Sequence, residues 1–178
     1  MISSILTTIS RLLSLQPDLA VPSNLWDELI KGLQLRGQNV RESGAFLLGR
    51  HKGGGRIVEQ IIFYDTLDPS VSAYGYINFD GRNLGRLWEI CRNHNQEVVA
   101  DVHTHPGGAA QSTSDKQHPM ISEAGHLAMI IPNFARTPVP LGRVGLYRYR
   151  GGFSWEPARG SLLSRPLVIS GEQDHGLD

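Results

Sequence analysis

Residues 98–115, VVADVHTHPGGAAQSTSD, are the most informative stretch of this chain. Its first five residues are rich in valine and lead into turn formers, which predicts a buried strand. Side chains alternate along a strand, so His103 and His105 are expected to point to the same side as the strand ends. The residues PGG then stop the strand, and Asp115 follows shortly afterwards.

Two imidazoles and one carboxylate form a partial coordination sphere for a divalent metal and leave a fourth position for water, as in catalytic zinc sites. Bound zinc lowers the pKa of its water towards ~7. The resulting hydroxide is a hydrolytic nucleophile, and hydrolysis of an amide bond also needs a carboxylate that moves protons to the leaving amine. Glu42, directly before an apolar strand, is our candidate for this acid and base. Ser112 is the candidate donor to the developing oxyanion, although serine at such a position also commonly caps a helix.

Length and composition limit the functions that are plausible for this chain. Its 178 residues suit one domain with tails. Lys plus Arg equals Asp plus Glu, at 17 each, so the chain lacks the basic field typical of nucleic-acid binders. Cys91 is the only cysteine, which excludes an internal disulfide and favours a reducing, cytoplasmic compartment. We expect Cys91 in the core, because it is at helical spacing from Leu84, Leu87 and Trp88.

The two ends differ from the middle of the chain. Apolar residues from Ile2 to Leu13 recur every three or four positions, which predicts an amphipathic helix packed on the domain or on a second copy in a homodimer. Neither a signal peptide nor a membrane span is expected. We therefore predict an N-terminal amphipathic helix within 1–22, a core domain over 23–156 and a flexible tail over 157–178.

Periodicity predicts a mixture of helices and strands. The expected helices cover 23–37, 82–96 and part of 115–125. The expected strands cover 45–50, 55–67, 74–80, 98–105, 126–132 and 143–151. Because strands and helices do not alternate strictly, the predicted fold class is α+β.

Three motifs, in their order along the chain, resemble the JAMM signature of the JAB/MPN metallopeptidases, and the resemblance covers roughly residues 24–155. They are Glu42 with SGAFLLG, then HTHP, then Ser112-x-x-Asp115. The resemblance implies an MPN fold, which is a curved, mostly antiparallel sheet flanked by helices. It also implies zinc bound by His103, His105 and Asp115, with Glu42 as acid and base and Ser112 stabilising the tetrahedral intermediate.

Active members of that family cleave after the C-terminal glycines of ubiquitin or a ubiquitin-like protein, which would be the partner here. The segments HLAMIIPNF and RVGLYRYRGG resemble the bacterial branch, whose members often act beside E1-like and E2-like enzymes in antiphage or related operons. Gly44-Ala45 and the short gap before Ser112 depart from the family pattern and concern the subfamily. For the substrate tail we expect a groove in the segments 64–78 and 132–144, which are rich in loops and flank the predicted strands.

Several other interpretations remain open from the residues alone. His118 and His126 are possible extra ligands, and Glu59 is a competing base. Amidohydrolase barrels also place a His-x-His pair at a strand end, but they need ~250 residues. Non-haem iron oxygenases use two histidines and a carboxylate as well. A scaffold or binding module of the same fold, without catalysis, is the non-enzymatic alternative.

Overall fold

The computed structural model describes residues 16–160 and 165–171. Its strands are β1 (Leu19–Pro22), β2 (Gly44–Lys52), β3 (Gly55–Phe63), β4 (Glu97–Thr104), β5 (Leu127–Ile131), β6 (Gly145–Gly151), β7 (Ser154–Pro157) and β8 (Leu167–Ser170). Its α-helices are α1 (Ser23–Gly37), α2 (Tyr64–Leu67), α3 (Leu84–His94) and α4 (Thr113–Gln117). The strands form one sheet in the order β7-β6-β5-β4-β2-β3-β1-β8.

The pairing within this sheet is mixed. β4 pairs with β5 in parallel, and β1 runs parallel to both β3 and β8. The other four neighbouring pairs are antiparallel. The helices lie outside the strands rather than alternating with them, so the predicted α+β class is confirmed.

The central strand β2 is buried on both faces. Ala45 and Leu47 belong to an apolar cluster that includes the inner face of α1. Phe46 and Leu48 belong to a second cluster that includes the inner face of α3. Since side chains alternate along a strand, the two helices cover opposite faces of the same sheet.

β4 distributes its side chains in the same way. Ala100 and Val102 lie in the cluster on the α1 side. Asp101 is opposite Phe46 in the β2–β4 register and therefore faces the α3 side, and His103 follows two residues later on that same side. The end of β4 thus presents Asp101 and His103 on the face of the sheet that α3 covers.

The sheet curls, because strands far apart in its order come into contact. Asp18, directly before β1, accepts a hydrogen bond of 2.6 Å from Nη2 of Arg148 on β6, although four strands separate β1 from β6. Leu146 of β6 and Leu167 of β8 also share one apolar cluster. The α1 face therefore lies on the inside of the curve.

The predicted strand 55–67 ends at Phe63, because Tyr64–Leu67 form α2, and a second predicted strand is absent. Residues 74–80 form an irregular loop in place of a strand. Ile77 and Phe79 are partly buried against the α3-side cluster, which explains their apolar alternation. The loop's backbone bonds locally instead of with a strand: the N–H of Asn78 donates to the carbonyl of Val71. Alternation marked a half-buried segment, and the strand prediction failed because no neighbouring strand pairs with it.

Both predicted end segments contain strands that we did not expect. Leu19–Pro22 was assigned to the N-terminal segment and forms β1, while Leu167–Ser170 was assigned to the tail and forms β8. The two pair with each other, so each needs a partner almost the whole chain away. The helix predicted from Ile2 to Leu13 lies outside the described residues, and the domain boundaries stay a prediction.

Candidate metal centre

The two histidines of the HTHP motif converge at the end of β4. The Nε2 atoms of His103 and His105 lie 3.0 Å apart. Their side chains are only 10% and 12% exposed. The strand ends at Thr104, and the chain turns at Pro106, so both imidazoles stay on the same side as predicted from their spacing.

Asp115 reaches the histidines from the first turn of the short helix α4. Ser112 caps this helix: its Oγ accepts a hydrogen bond of 3.1 Å from the N–H of Asp115, and its own N–H donates to Oδ2 of Asp115 at 2.6 Å. This reciprocal capping box orients the carboxylate. Oδ1 of Asp115 lies 3.4 Å from Nε2 of His103, and Oδ2 lies 3.2 Å from Nε2 of His105.

The donor set fits a tetrahedral metal ion. Ligands at ~2.0–2.2 Å from zinc in tetrahedral geometry stand about 3.2–3.6 Å apart. The two imidazole nitrogens are 3.0 Å apart, and the Asp115 carboxylate lies 3.4 Å from one through Oδ1 and 3.2 Å from the other through Oδ2, so all three side chains are within reach of one ion. Among the described residues, His103, His105 and Asp115 form the group of ligating side chains that could hold an ion. Three ligands leave one corner of the tetrahedron for water or substrate.

The electrostatics of the site favour a cation. Burial by itself raises the pKa of Asp115, but hydrogen bonds from His103 and His105 outweigh burial and hold that pKa well below its usual range. Burial likewise lowers the pKa of His103, but the hydrogen bond and charge of Asp115 raise it above its usual 6.5. Asp115 is therefore ionised and aimed at the point where the histidine nitrogens meet.

Glu42 is brought to this site by a clasp between the start of β2 and the end of β4. The N–H of Thr104 donates to the carbonyl of Ser43 at 2.9 Å, and the N–H of Ser43 donates to Oγ1 of Thr104 at 3.0 Å. Gly44 stands opposite His103 in the strand register. The residue directly before this clasp is Glu42, and it lines the same cavity as His103.

That cavity has a volume of about 680 Å³ and one largely apolar wall. Ile77 and Phe79 line it from the loop 68–80, and Trp155 lines it from β7. The loop is tied to Glu42, whose N–H donates to the carbonyl of Gly75 and whose Oε2 accepts from the N–H of Ile77 at 3.3 Å. Part of the predicted groove segment 64–78 thus borders the metal centre.

The other predicted groove segment, 132–144, borders a separate cavity of about 620 Å³. Pro106 lines this second cavity together with Phe134, Arg136 and Arg143. The two segments therefore lie around the metal centre without forming a single continuous cavity.

A buried polar network that was not predicted from the sequence lies beside the ligands. Asp101 is 2% exposed, and one of its oxygens lies 2.7 Å from Nε2 of His126, which is 6% exposed. The hydroxyl of Tyr64 donates to its other oxygen at 3.4 Å. Burial, followed by the charge of Asp101, raises the pKa of Tyr64 well above 10, so the hydroxyl stays a donor. A charged residue inside VVADV, in phase with both ligand histidines, was the available signal.

Among the described residues, the remaining candidates do not join the group of ligands. His126 is bound to Asp101, as described above. His118 is exposed at the end of α4, and its Nδ1 lies 3.1 Å from the carbonyl of Ser114. Glu59 lies on the exposed face of β3 and contacts Arg50 and Gln96, as expected for a solvated strand position. Cys91 is buried on α3, and its predicted place in the core is confirmed.

An α+β fold with two histidines and a carboxylate at the end of a strand is typical of proteins that bind a metal ion. Comparison with known proteins gives the family. The chain belongs to the prokaryotic homologs of the JAB domain, whose family model matches residues 22–137. A probable metalloprotease (y4jG) of Sinorhizobium fredii is 33% identical over 73 residues. The match covers 41% of this chain and 45% of that protein, so the chain spans about half the length of this curated relative.

Solved structures support the same fold. The solution structure of protein DSY2949 from Desulfitobacterium hafniense has a TM-score of 0.64 and 18% identity, covering 88% of this chain and 96% of its own. A protein from Salinibacter ruber has a TM-score of 0.52 and 16% identity, covering 89% and 95%. At these identities the likeness concerns the fold alone. Within the described part of the chain, no helix is both long and apolar enough to cross a membrane.

Proposed function

We propose that the protein is a zinc metallopeptidase of the JAMM type that cleaves after the C-terminal glycine of ubiquitin or a bacterial ubiquitin-like protein. The observation that carries the proposal is Glu42. Its carboxylate lies outside the group of three ligating side chains and lines the same cavity as two of them, His103 and Asp115. A metal site that serves structure alone has no use for this additional acid.

The chain's own residues supply the proton transfers. Zinc held by His103, His105 and Asp115 would polarise the scissile carbonyl and acidify a water molecule. Glu42 accepts the proton of the attacking water and passes it to the leaving amine. Ser112 uses its Oγ lone pair to cap α4, so its O–H remains available to donate to the carbonyl oxygen as negative charge develops.

The proposed substrate is an extended tail ending in glycine. Such a tail binds through backbone hydrogen bonds, and glycine allows the closest approach of the scissile bond to the metal. Support comes from the resemblance to active JAMM enzymes and from family membership. Partner E1-like and E2-like enzymes from the same operon and a homodimer through the apolar N-terminal segment are further proposals.

The central test compares two glutamates on a ubiquitin-like fusion that carries a Gly-Gly junction. Glu42→Ala should keep about one zinc per chain and a folded structure, but its kcat should fall by ~10²–10⁴-fold. Glu59→Ala is the matched control, because Glu59 is an exposed carboxylate with partners of its own, and its kcat should equal that of the wild type. Zinc by elemental analysis and kcat and KM by gel assay are the readouts.

Two results would overturn the proposal. A wild-type protein that lacks zinc after metal-replete expression, or that binds zinc but cleaves no fusion, would identify a binding module.

Asp115→Ala should lose zinc and activity together, since it removes a ligand. Equal cleavage of fusions with Gly-Gly and Leu-Leu junctions would refute the glycine specificity while leaving the peptidase activity intact.

A further inference from the structure

The first part of the connection between the ligands, residues 106–111, forms neither helix nor strand before the capping box of α4 begins. Residues 106–114 join His105 to Asp115 and are largely exposed. A Cβ at Gly107 or Gly108 would meet nothing within 4 Å, and neither glycine has a left-handed φ. These glycines therefore add conformational freedom that the folded site must lose. Contacts from elsewhere in the chain must order the loop before Asp115 can meet the histidines.

One such contact is a left-handed turn, Asn133–Ala135. Its three residues have φ of 54°, 54° and 58°, a region that side chains other than glycine rarely adopt. The N–H of Phe134 donates to the carbonyl of His105 at 2.8 Å, and the N–H of Asn133 donates to the carbonyl of Gly107 at 3.0 Å. A strained turn persists only where its surroundings determine it, and here its amides hold the start of the ligand loop.

The second contact is with β6, where Gly145 and Tyr147 hold the backbone of Ala109. We call these two residues the β6 seat. The hydroxyl of Tyr147 donates to the carbonyl of Ala109 at 2.8 Å. A Cβ at Gly145, two residues earlier on that strand, would lie 2.3 Å from the same carbonyl oxygen. Gly145 therefore allows the loop backbone to rest on the strand, and Tyr147 fixes it there. No metal ligand lies on β6, so this seat acts only through the loop.

We propose that Tyr147 is a positioning residue for the metal centre: by holding Ala109 on β6, it presents Asp115 to the histidines before the ion arrives. The inference rests on the proposed function, in which that centre holds zinc. Without the seat, the loop must be ordered when zinc binds, and the lost conformational entropy weakens the affinity. Residues that orient metal ligands change affinity by about 10–100-fold when they are replaced.

The test is Tyr147→Phe with Tyr149→Phe as its matched control. Both tyrosines lie on β6, and each makes one hydrogen bond to loop backbone, but Tyr149 accepts from the N–H of Phe153 in the turn after β6. Tyr147→Phe should bind zinc about tenfold more weakly in competition with a chromogenic chelator. It should also release zinc faster to excess chelator and have a lower kcat at nearly unchanged KM. Tyr149→Phe should match the wild type in all three measurements.

A second variant is needed because water can replace the hydrogen bond that Tyr147→Phe removes. A Cβ at Gly145 would lie 2.3 Å from the Ala109 carbonyl oxygen and 2.8 Å from Cε2 of Tyr147, so Gly145→Ala crowds both partners of the contact without removing the hydroxyl. It should weaken zinc binding at least as much as Tyr147→Phe does. Melting of the metal-free proteins shows whether either variant is merely unstable. A drop in Tm without a change in zinc affinity would make Tyr147 structural and overturn the inference.

The outcomes separate the two proposals. If the wild type binds zinc and cleaves the fusion but Tyr147→Phe has wild-type zinc affinity and release rate, only the positioning role fails. If Tyr147→Phe and Tyr149→Phe weaken zinc binding equally, β6 as a whole is responsible and the specific seat is refuted. If the wild type binds no zinc, the proposed function fails and the positioning role fails with it.

Discussion

At the scale of single residues, the centre depends on Asp115 and Glu42, each of which is held at two points. Asp115 contacts both ligand histidines and also completes the capping box with Ser112. Glu42 has its backbone and its carboxylate bound to the loop 68–80. A side chain held from two directions has little orientational freedom left to lose, which is what a preorganised site requires.

The first residue-scale prediction concerns His103 in the metal-free protein. Its pKa should lie above 6.5, and Asp115→Asn should lower it, because burial of the imidazole then opposes protonation with less compensation. A titration of the imidazole nitrogens by NMR, after zinc removal, measures the pKa directly. A pKa of His103 that is unchanged in Asp115→Asn would contradict this assignment of cause.

The same shifts set the sign of the pH dependence of stability. The raised pKa of His103 contributes stability that is complete below 6.5 and is lost as pH rises through the raised value. The lowered pKa of Asp115 contributes stability that is complete above 3.8 and is lost as pH falls through the lowered value. The metal-free wild type should therefore exceed Asp115→Asn in Tm most between pH 3.8 and 6.5.

At the scale of elements, the site depends on how closely β2 and β4 approach near their ends. Gly44, one of the departures from the family pattern, lies where these strands meet the ring of Tyr64. A Cβ at this position would lie 2.3 Å from Cε2 of Tyr64 and 2.7 Å from the carbonyl oxygen of Val102. The departure is thus a packing requirement of this chain, because Tyr64 fills the space that a side chain would need.

Gly44→Ala should accordingly destabilise the fold by about 1–3 kcal/mol, as overpacking usually does. The register between Gly44 and His103 should also be disturbed, so zinc affinity should fall together with stability. Urea denaturation and chelator competition measure the two effects. Gly81→Ala is a suitable control, because a Cβ there meets nothing within 4 Å. Equal stability of both variants would refute the argument from close packing.

At the scale of the whole molecule, a buried ion pair joins distant parts of the curled sheet. The side chains of Asp18 and Arg148 are 6% and 5% exposed, and Oδ2 of Asp18 also accepts from the N–H of Gly160 at 3.0 Å. Arg148 donates to the carbonyl of Gly125 as well. One charge pair therefore connects the residue before β1, the strand β6 and the segment after β7.

Removing Asp18 should leave the charge of Arg148 buried without this partner. We expect Asp18→Ala to cost about 3–5 kcal/mol of unfolding free energy, the usual loss when a buried pair is broken. Asp65→Ala is the control, since its pair with Arg36 is 42% and 30% exposed and should be worth about 1 kcal/mol or less. Urea denaturation at neutral pH compares them, and similar losses would contradict the role of burial.

The sequence by itself determined the parts of this protein whose causes are local. Strand periodicity put His103 and His105 on one side, helical periodicity predicted 23–37 correctly, and Ser112-x-x-Asp115 carried its own capping geometry. The order of the motifs along the chain was sufficient to predict the JAB family, whose model matches residues 22–137.

Only the tertiary structure decided which distant residues meet. The clasp between Ser43 and Thr104 spans 61 residues, and it determines that Glu42 faces the ligands. Asp101 lies beside His126, and Ala109 rests on Tyr147, for the same kind of reason. Periodicity reports only whether a side chain is buried, whereas these contacts depend on strand order and on the curl of the sheet. Both arise from packing summed over the whole chain, and no short stretch of sequence contains that information.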